Sequence, residues 1–262
     1  MPLTDNHRPP IAFALDFDSV NDARAAAREV APSIGMVKVG LELFVRAGKD
    51  AVAIGQDVGL PVFLDLKLHD IPETVERAVA QASELGASLV TVHASGGRAM
   101  LRRAVSRAQN SNRGALSICA VTVLTSLDDD DLDDIGLVAR AATGSGAPSV
   151  SAEALPEPRS RAGIVAERLA RIAFEEGVRA FVCSATEVKH VRTALGPEAV
   201  LITPGVRPSS TDASDDQKRV ATPEQAIADG ADWLVVGRPI RDAKDRRGAA
   251  QGIADAITRA RT

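Results

Sequence analysis

Short apolar runs alternate with longer amphipathic segments along almost the whole chain. The runs are rich in Val, Ile, Leu and Ala, and their near-continuous apolarity predicts strands that are covered on both faces, as in a parallel sheet. The predicted strands are IAFALD (11–16), MVKVG (36–40), VFLDL (62–66), SLVTVH (88–93), LSICAVTV (116–123), AFVCS (180–184), AVLIT (199–203) and DWLVVG (232–237).

The segments between the strands predict helices. They cover 20–32, 42–57, 73–85, 97–109, 161–176, 186–195, 222–229 and 247–261. Eight strands that are each followed by a helix, within about 250 residues, are typical of a (β/α)8 TIM barrel, an α/β fold. A doubly wound sheet is the alternative, but it usually has a glycine-rich turn after strand one. The chain has ALDFDS there, which favours one barrel domain over 1–262.

Two segments interrupt this rhythm. Residues 143–160 (TGSGAPSVSAEALPEPRS) are rich in Gly, Ser, Pro and Ala, and we interpret them as a flexible insertion rather than a domain boundary. Residues 207–218 (RPSSTDASDDQK) are polar and follow strand seven, where a barrel carries active-site loops.

An acidic run, DDDDLDD at 128–134, follows strand five. Carboxylates are favourable at the positive end of a helix, so we interpret the run as a solvated helix start. A metal site is the alternative interpretation.

Composition and charge narrow the function classes. The chain of 262 residues is 45% hydrophobic and carries a net charge of −4, which gives no general attraction to nucleic acid or anionic membranes. No apolar run approaches the ~20 residues of a membrane span, and the N-terminus does not resemble a signal peptide. We therefore expect a soluble, cytoplasmic protein. Cys119 and Cys183 lie in apolar runs without zinc-ligand spacing, so we expect buried thiols.

Polar residues collect where the predicted strands end. In a (β/α)8 barrel these carboxyl ends form the active-site face. The residues are Asp16, Lys38, Asp65, Lys67, Asp70, His93, Thr125, Ser126, Arg207, Gly237 and Arg238.

The third strand carries the densest charge. Asp65 and Lys67 are two positions apart and are predicted to share a face of the strand, with Lys38 and Asp70 approaching from the neighbouring strand and the next turn. Opposite charges hold one another ionised in a partly dry site. The alternative is a structural ion-pair network closing one end of the barrel. His93 is either a general base or a buried structural histidine.

The ends of strands seven and eight predict an anion site. TPGVRP supplies Arg207, and VVGRP supplies Gly237 and Arg238. Arginine forms forked hydrogen bonds to phosphate, and these two loops are the usual phosphate-binding place in such barrels. The alternative for Arg238 is an ordinary surface arginine.

Together these segments resemble orotidine 5′-phosphate decarboxylases. The resemblance rests on ALDFDS, VKVG, FLDLKLHDIPETV, TVHASGG, AVTVLTS, ITPGVRP, DDQKRVATP and VVGRPI, in this order. The segment 143–160 departs from the shorter family pattern. The resemblance implies decarboxylation of orotidine 5′-phosphate to UMP, the last step of de novo pyrimidine nucleotide synthesis, without metal or organic cofactor, by a homodimer whose active sites lie at the subunit interface.

The resemblance also implies roles for residues around the reacting carbon. Lys67 would protonate C6, and Asp65 and Asp70 would flank the departing carboxylate. Asp70, with Ile71 and Thr74, would come from the partner subunit.

Further residues would bind the rest of the nucleotide. Asp16 and Lys38 would bind the ribose hydroxyls, and Lys38 would complete the catalytic charge network. Thr125 and Ser126 would contact the pyrimidine. The phosphate side would be bound by Arg207, Gln217, Gly237 and Arg238.

Two other functions remain open. One is a Mg²⁺-dependent sugar-phosphate decarboxylase or lyase of the same superfamily, in which a carboxylate takes the position of Lys38 and helps to bind the metal. The other is a non-catalytic nucleotide-binding barrel, which would be expected to have lost one of the charged residues.

Overall fold

The computed structural model describes residues 8–111, 116–137, 160–207 and 221–261. In this part of the chain, parallel strands close into a barrel, each pairing with the next along the chain and the last with the first. The strands are β1 (Ile11–Ala14), β2 (Met36–Val39), β3 (Val62–Leu68), β4 (Leu89–His93), β5 (Ser117–Val121), β6 (Ala180–Val182), β7 (Val200–Thr203) and β8 (Trp233–Val236). The predicted (β/α)8 TIM barrel is confirmed, and every predicted strand is present.

Helices follow the strands and cover the outside of the barrel. They are α1 (Val20–Val30), α2 (Leu41–Ala47), α3 (Lys49–Val58), α4 (Pro72–Glu84), α5 (Arg98–Gln109), α6 (Asp129–Asp134), α7 (Arg161–Glu175), α8 (Val188–Leu195), α9 (Pro223–Ala228), α10 (Arg238–Arg241) and α11 (Arg246–Arg261). Helix α1 illustrates why they form. The Ser19 side chain caps its first turn by accepting the Asp22 N–H, and Ala23, Ala27 and Val30 form its buried face.

The prediction of one helix over 42–57 was wrong. The structure has α2 and α3, separated at Gly48, whose φ of 52° is in the left-handed region that favours glycine. The Gly48 N–H bonds to Phe44 O at 2.7 Å and closes α2.

The acidic run begins a helix, as predicted. The Asp128 side chain accepts the Asp131 N–H at 3.0 Å, and the Asp131 side chain accepts the Asp128 N–H at the same distance. This reciprocal pair is a capping box at the start of α6. Asp129 accepts the backbone N–H groups of Arg161 and Ala162, so its carboxylate joins the starts of α6 and α7.

An apolar layer fills the barrel interior with one side chain from each strand. Its members are Ala12, Met36, Phe63, Leu89, Cys119, Ala180, Ile202 and Trp233. A packed layer of this kind makes the barrel a core rather than a pore. Cys119 and Cys183 are both buried thiols, and burial raises the pKa of each.

Two predicted loops fall almost entirely outside the described residues. Of the insertion at 143–160, only Ser160 is described; it caps α7 by accepting the Gly163 N–H at 3.1 Å. Of the loop at 207–218, only Arg207 is described. Over the described ranges, every helix is too short or too polar to cross a bilayer.

Candidate active site

The candidate site lies directly above the apolar layer, toward the carboxyl ends of the strands. Side chains two positions apart share a face of a strand, so the next layer is built from residues two positions further along. These residues are Ala14, Lys38, Asp65, Thr91, Val121, Val182, Pro204 and Val235. All but Thr91 line one cavity of ≈ 510 Å³. The barrel interior therefore changes from an apolar core to a cavity with charged side chains over two residues of each strand.

Four charged side chains form an alternating row in this cavity. Lys67 Nζ lies 2.9 Å from each carboxylate oxygen of Asp65. Lys38 Nζ lies 3.6 Å from Asp65 Oδ2 on one side and 3.4 Å from Asp16 Oδ1 on the other. The predicted meeting of Lys38, Asp65 and Lys67 is thus confirmed in geometry. The row has two positive and two negative charges, so each ammonium faces a carboxylate.

Asp65 is the central acid of this row, and 13% of its side chain is exposed. Burial alone would raise its pKa, but the Lys38 and Lys67 ammoniums, with hydrogen bonds from Lys67 and Thr91, together lower the pKa below its usual value. Asp65 is therefore ionised at neutral pH and can hold the Lys67 ammonium in place.

Lys67 reaches this position through an irregularity in β3. The register between β3 and β4 shifts between Leu64 and Leu68, which pair with Val90 and Val92. Lys67 has a φ of 51°, and in the described part of the chain it is the one non-glycine residue with a positive φ. Bulges of this kind re-aim side chains next to active sites. The strand prediction at 62–66 stopped short of this turn, since β3 continues to Leu68.

The Thr91 hydroxyl supports the irregular backbone from β4. Its Oγ1 accepts the Lys67 N–H at 2.7 Å and donates to Asp65 Oδ1 at 3.0 Å. The residue is completely buried. Sequence analysis missed Thr91, although it lies two positions after the inward-facing Leu89 and interrupts an apolar run.

Some of the residues that were predicted to bind the pyrimidine and the phosphate line the same cavity. Thr125, Arg207, Gly237 and Arg238 line it, whereas Ser126 is exposed and outside its lining, and Gln217 lies outside the described residues. A Cβ added to Gly237 would lie 3.5 Å from Ala14 Cβ, an ordinary contact. Protein atoms therefore do not require glycine here, and the absent side chain leaves room in the cavity.

The remaining predicted residues lie on the rim beside β3. Asp70, Ile71 and Thr74 are all exposed, and none lines the cavity of the single chain. Asp70 Oδ1 accepts the Ile71 N–H at 2.6 Å, which fixes the carboxylate at the start of α4. The structure of one chain therefore does not bring Asp70 into the charged row.

His93 lies at the end of β4, with its ring 5.3 Å from the ring of His69. Burial, together with the electrostatic effects of His69 and Lys67, lowers the pKa of His93, and Asp65 opposes this effect. The histidine is outside the cavity lining. This position favours the structural interpretation of His93 over that of a general base.

Comparison with known proteins places this arrangement in a family. The family model described as "Orotidine 5'-phosphate decarboxylase / HUMPS family" matches residues 9–253. The chain belongs to this family.

Members of the family named orotidine 5′-phosphate decarboxylase resemble the chain over nearly its whole length. The protein of Anaeromyxobacter dehalogenans (strain 2CP-1 / ATCC BAA-258) is 49% identical over 247 residues, covering 93% of this chain and 96% of the relative. That of Anaeromyxobacter sp. (strain K) is 48% identical with the same coverage. The crystal structure of orotidine 5′-phosphate decarboxylase from Lactobacillus acidophilus has a TM-score of 0.75 at 31% identity, covering 95% of this chain and 99% of that one.

This member of the orotidine 5′-phosphate decarboxylase / HUMPS family has further cavity residues that sequence analysis missed. Glu42 and Arg241 line the cavity beside Asp16. Arg241 Nη1 donates to Asp16 O at 3.0 Å and also pairs with Asp242. Arg241 lies three positions after the predicted Arg238, on α10, so a one-turn spacing was the available signal.

Proposed function

We propose that this chain decarboxylates orotidine 5′-phosphate to UMP, the last step of de novo pyrimidine nucleotide synthesis. The observation that carries the proposal is the Lys67 ammonium, held 2.9 Å from Asp65 above the barrel core. Curated relatives at 42–49% identity that are named for this activity support it.

The chemical step needs a cation directed at a ring carbon. When the bond from C6 to the carboxylate breaks, CO₂ leaves and the bonding electron pair stays on C6. The Lys67 ammonium stabilises this charge as it forms and then transfers a proton to C6, giving UMP and a neutral amine that solvent reprotonates. Asp65 positions the ammonium beforehand, so little reorganisation is needed during the reaction.

Two carboxylates are placed beside the substrate carboxylate in this proposal. Asp65 is ionised and largely buried, so it repels a second carboxylate brought next to it. Asp70 of a partner subunit adds a second negative charge. The repulsion falls as the substrate carboxylate becomes neutral CO₂, which favours bond cleavage.

The sugar and base are assigned to the two sides of the charged row. Asp16 and Lys38 bind the ribose hydroxyls, since Lys38 Nζ and Asp16 Oδ1 together offer a donor and an acceptor 3.4 Å apart. Thr125 lines the cavity on the opposite wall and contacts the pyrimidine, with Ser126 beside it.

The phosphate is assigned to the β7 and β8 ends. Arg207 and Arg238 both line the cavity next to Gly237, which places two guanidinium groups on one wall. Gln217 is assigned to the phosphate side as well, as the family resemblance implies. Binding energy from this remote group helps to close the site and exclude water.

The active unit is proposed to be a homodimer. Asp70, Ile71 and Thr74 are exposed at the rim in one chain, and across a two-fold interface they would complete the partner's site. Large apolar side chains are exposed both at this rim and on α2, the helix that follows β2: Ile71 is 67% exposed, and Leu41 and Val45 are 52% and 81% exposed. An interface that covered these side chains would remove their apolar surface from water, which favours association.

The position of Lys38 disfavours the Mg²⁺-dependent alternative. Its ammonium lies 3.6 Å from Asp65 and 3.4 Å from Asp16, where it neutralises both carboxylates and repels a divalent cation. The non-catalytic alternative is disfavoured because the whole charged row is present. A cytoplasmic location, with both cysteines kept as thiols, agrees with this metabolic role.

The test is the loss of orotidine 5′-phosphate absorbance with purified protein and no added metal. Turnover should be unchanged in excess EDTA. Lys67→Ala should lower kcat by about a thousandfold or more, since it removes both charge stabilisation and the proton donor, while UMP binding by calorimetry persists. Lys49→Ala, at the exposed start of α3, is the matched control and should keep full activity. Loss of activity in EDTA, or a fully active Lys67→Ala variant, would contradict the proposal.

A further inference from the structure

The Thr91 hydroxyl links the backbone of Lys67 to the carboxylate of Asp65, and that carboxylate also binds the Lys67 ammonium. Its hydroxyl accepts the Lys67 backbone N–H at 2.7 Å and donates to Asp65 Oδ1 at 3.0 Å. The same Asp65 oxygen accepts from Lys67 Nζ at 2.9 Å. The contacts form a closed ring that runs from the Lys67 backbone through Thr91 and Asp65 to the Lys67 ammonium.

We propose that Thr91 is a positioning residue that sets the geometry of the Lys67–Asp65 pair. The inference rests on the proposed function and adds a residue that is completely buried and does not line the cavity. Thr91 therefore acts through Lys67 and Asp65 rather than on the reacting atoms.

A hydroxyl is suited to this place because it donates one hydrogen bond and accepts another. The proton goes to Asp65, a carboxylate that can only accept, so the Thr91 oxygen is left to accept the Lys67 N–H. Without the hydroxyl, both the backbone N–H and one carboxylate lone pair would lose a partner in a buried site, which is costly.

The Lys67 backbone needs this support. A φ of 51° is unfavourable for a residue with a side chain, and such conformations persist where the surroundings hold them. The register of β3 against β4 also shifts here, so the regular ladder does not hold the segment. The Thr91 oxygen takes the place of the missing ladder acceptor. Being β-branched, Thr91 also has few rotamers, which keeps the oxygen in place.

The kinetic test compares Thr91→Val with a matched control. Thr91→Val keeps the shape and removes the hydroxyl, and we expect kcat for orotidine 5′-phosphate to fall about 10- to 100-fold with KM changed less than about threefold. Thr122→Val is the control, since Thr122 is a buried threonine beside β5 whose hydroxyl donates to Val182 O at 3.1 Å, away from the charged row. It should keep kcat within about twofold.

Two further variants distinguish the loss of the hydroxyl from misfolding. Thr91→Ser keeps the hydroxyl and should retain kcat within about threefold, whereas Thr91→Ala loses it and should behave like Thr91→Val. Thermal unfolding of each variant identifies those that are folded. A folded Thr91→Ser variant with kcat as low as that of Thr91→Val would overturn the proposal, because Thr91→Ser keeps the hydroxyl.

A measurement without substrate separates this inference from the proposed function. Asp65 faces Lys38 on β2, Lys67 on β3 and Thr91 on β4, with the His93 ring and the Cys119 thiol also coupled to it. The Thr91 hydrogen bond lowers the pKa of Asp65, so carboxyl NMR should detect a higher Asp65 pKa in Thr91→Val but not in Thr91→Ser or Thr122→Val.

The outcomes are distinct. If the wild-type protein fails to decarboxylate orotidine 5′-phosphate while the Asp65 pKa rises in Thr91→Val, the proposed function fails and the positioning of the pair stands. If Thr91→Val matches Thr122→Val in kcat and its Asp65 pKa is unmoved, the positioning role is wrong whatever the reaction is.

Discussion

The Lys67 ammonium nitrogen lies 2.9 Å from both carboxylate oxygens of Asp65, although the two residues are separated by one position on a strand. In a regular strand the side chains of such a pair are parallel, and their ends meet only if the longer one bends back. Here the backbone itself turns at Lys67, with a φ of 51°. The contact therefore depends on a backbone feature as well as on residue spacing.

Gly40 is predicted to be required for the geometry of the neighbouring ion pair between Lys38 and Asp16. A Cβ there would lie 3.1 Å from Lys38 Nζ and 3.3 Å from Asp16 Oδ1, so the lysine end would have to move. Because a lysine end moves easily, Gly40→Ala should leave the melting temperature nearly unchanged but lower kcat/KM about tenfold. Steady-state kinetics and thermal unfolding check both parts.

The control for Gly40→Ala is Gly252→Ala on α11, where an added Cβ meets nothing within 4 Å. This substitution should stabilise the protein by about 0.5–1 kcal/mol, since alanine favours a helix interior, and leave kcat/KM intact. Full activity in Gly40→Ala would show that Lys38 and Asp16 do not need their present separation.

Arg238 is predicted to act through the phosphate. Arg238→Ala should lower kcat/KM for orotidine 5′-phosphate about 10- to 100-fold, the loss expected for charge-assisted hydrogen bonds. Orotidine, the nucleoside without phosphate, should react slowly and equally with wild type and variant. Arg28→Ala, at the exposed end of α1, serves as the control. An equal loss with both substrates would mean that Arg238 supports the fold or the base site instead.

Asp70 is predicted to act in the site of the other subunit. Lys67→Ala and Asp70→Asn should each lower kcat at least about a hundredfold. A heterodimer of the two variants, purified through two different tags, would contain one site with both defects and one intact site. It should recover about half of the wild-type activity per dimer, as two-fold symmetry requires. If Asp70 serves its own chain, the heterodimer stays as inactive as its parents.

The folded state should lose stability as the pH falls below about 6.5, because His93 is protonated more readily in the unfolded chain. Its pKa is lowered in the folded state by burial, His69 and Lys67. The neutral ring is therefore favoured on folding, so its contribution is complete above the unfolded pKa of about 6.5 and is lost as pH falls through the lower folded value. Ionised Asp65 also stabilises the folded state, because its pKa is lowered there. This contribution is lost as the pH falls near and below the ordinary pKa of 3.8, outside this window.

Urea unfolding at pH 7.5 and pH 5.0 separates the two groups. The wild type should lose stability between these pH values, and His93→Gln should lose less, because the substituted side chain does not titrate. An equal loss in both proteins would assign the acid sensitivity to other groups.

Much of the architecture follows from the sequence because it depends on local patterns. Each predicted strand is present, since a run of apolar residues buried on both faces has few other solutions. Lys38, Asp65 and Lys67 lie together as expected, because the fold brings the carboxyl ends of all strands to one face. The single helix predicted over 42–57 failed at Gly48, where one left-handed residue divides an otherwise continuous pattern.

The sequence by itself determined the strands and helices of the barrel and the identity of the charged residues, because each of these follows from spacing along one strand or helix. Only the tertiary structure decided the β3 bulge, the left-handed Lys67 and the Thr91 bridge from β4. These features arise where two strands lose register, and the partner that satisfies the freed N–H is 24 residues away along the chain. A contact of that kind has no periodic signal, since it depends on which side chain of the neighbouring strand faces the break.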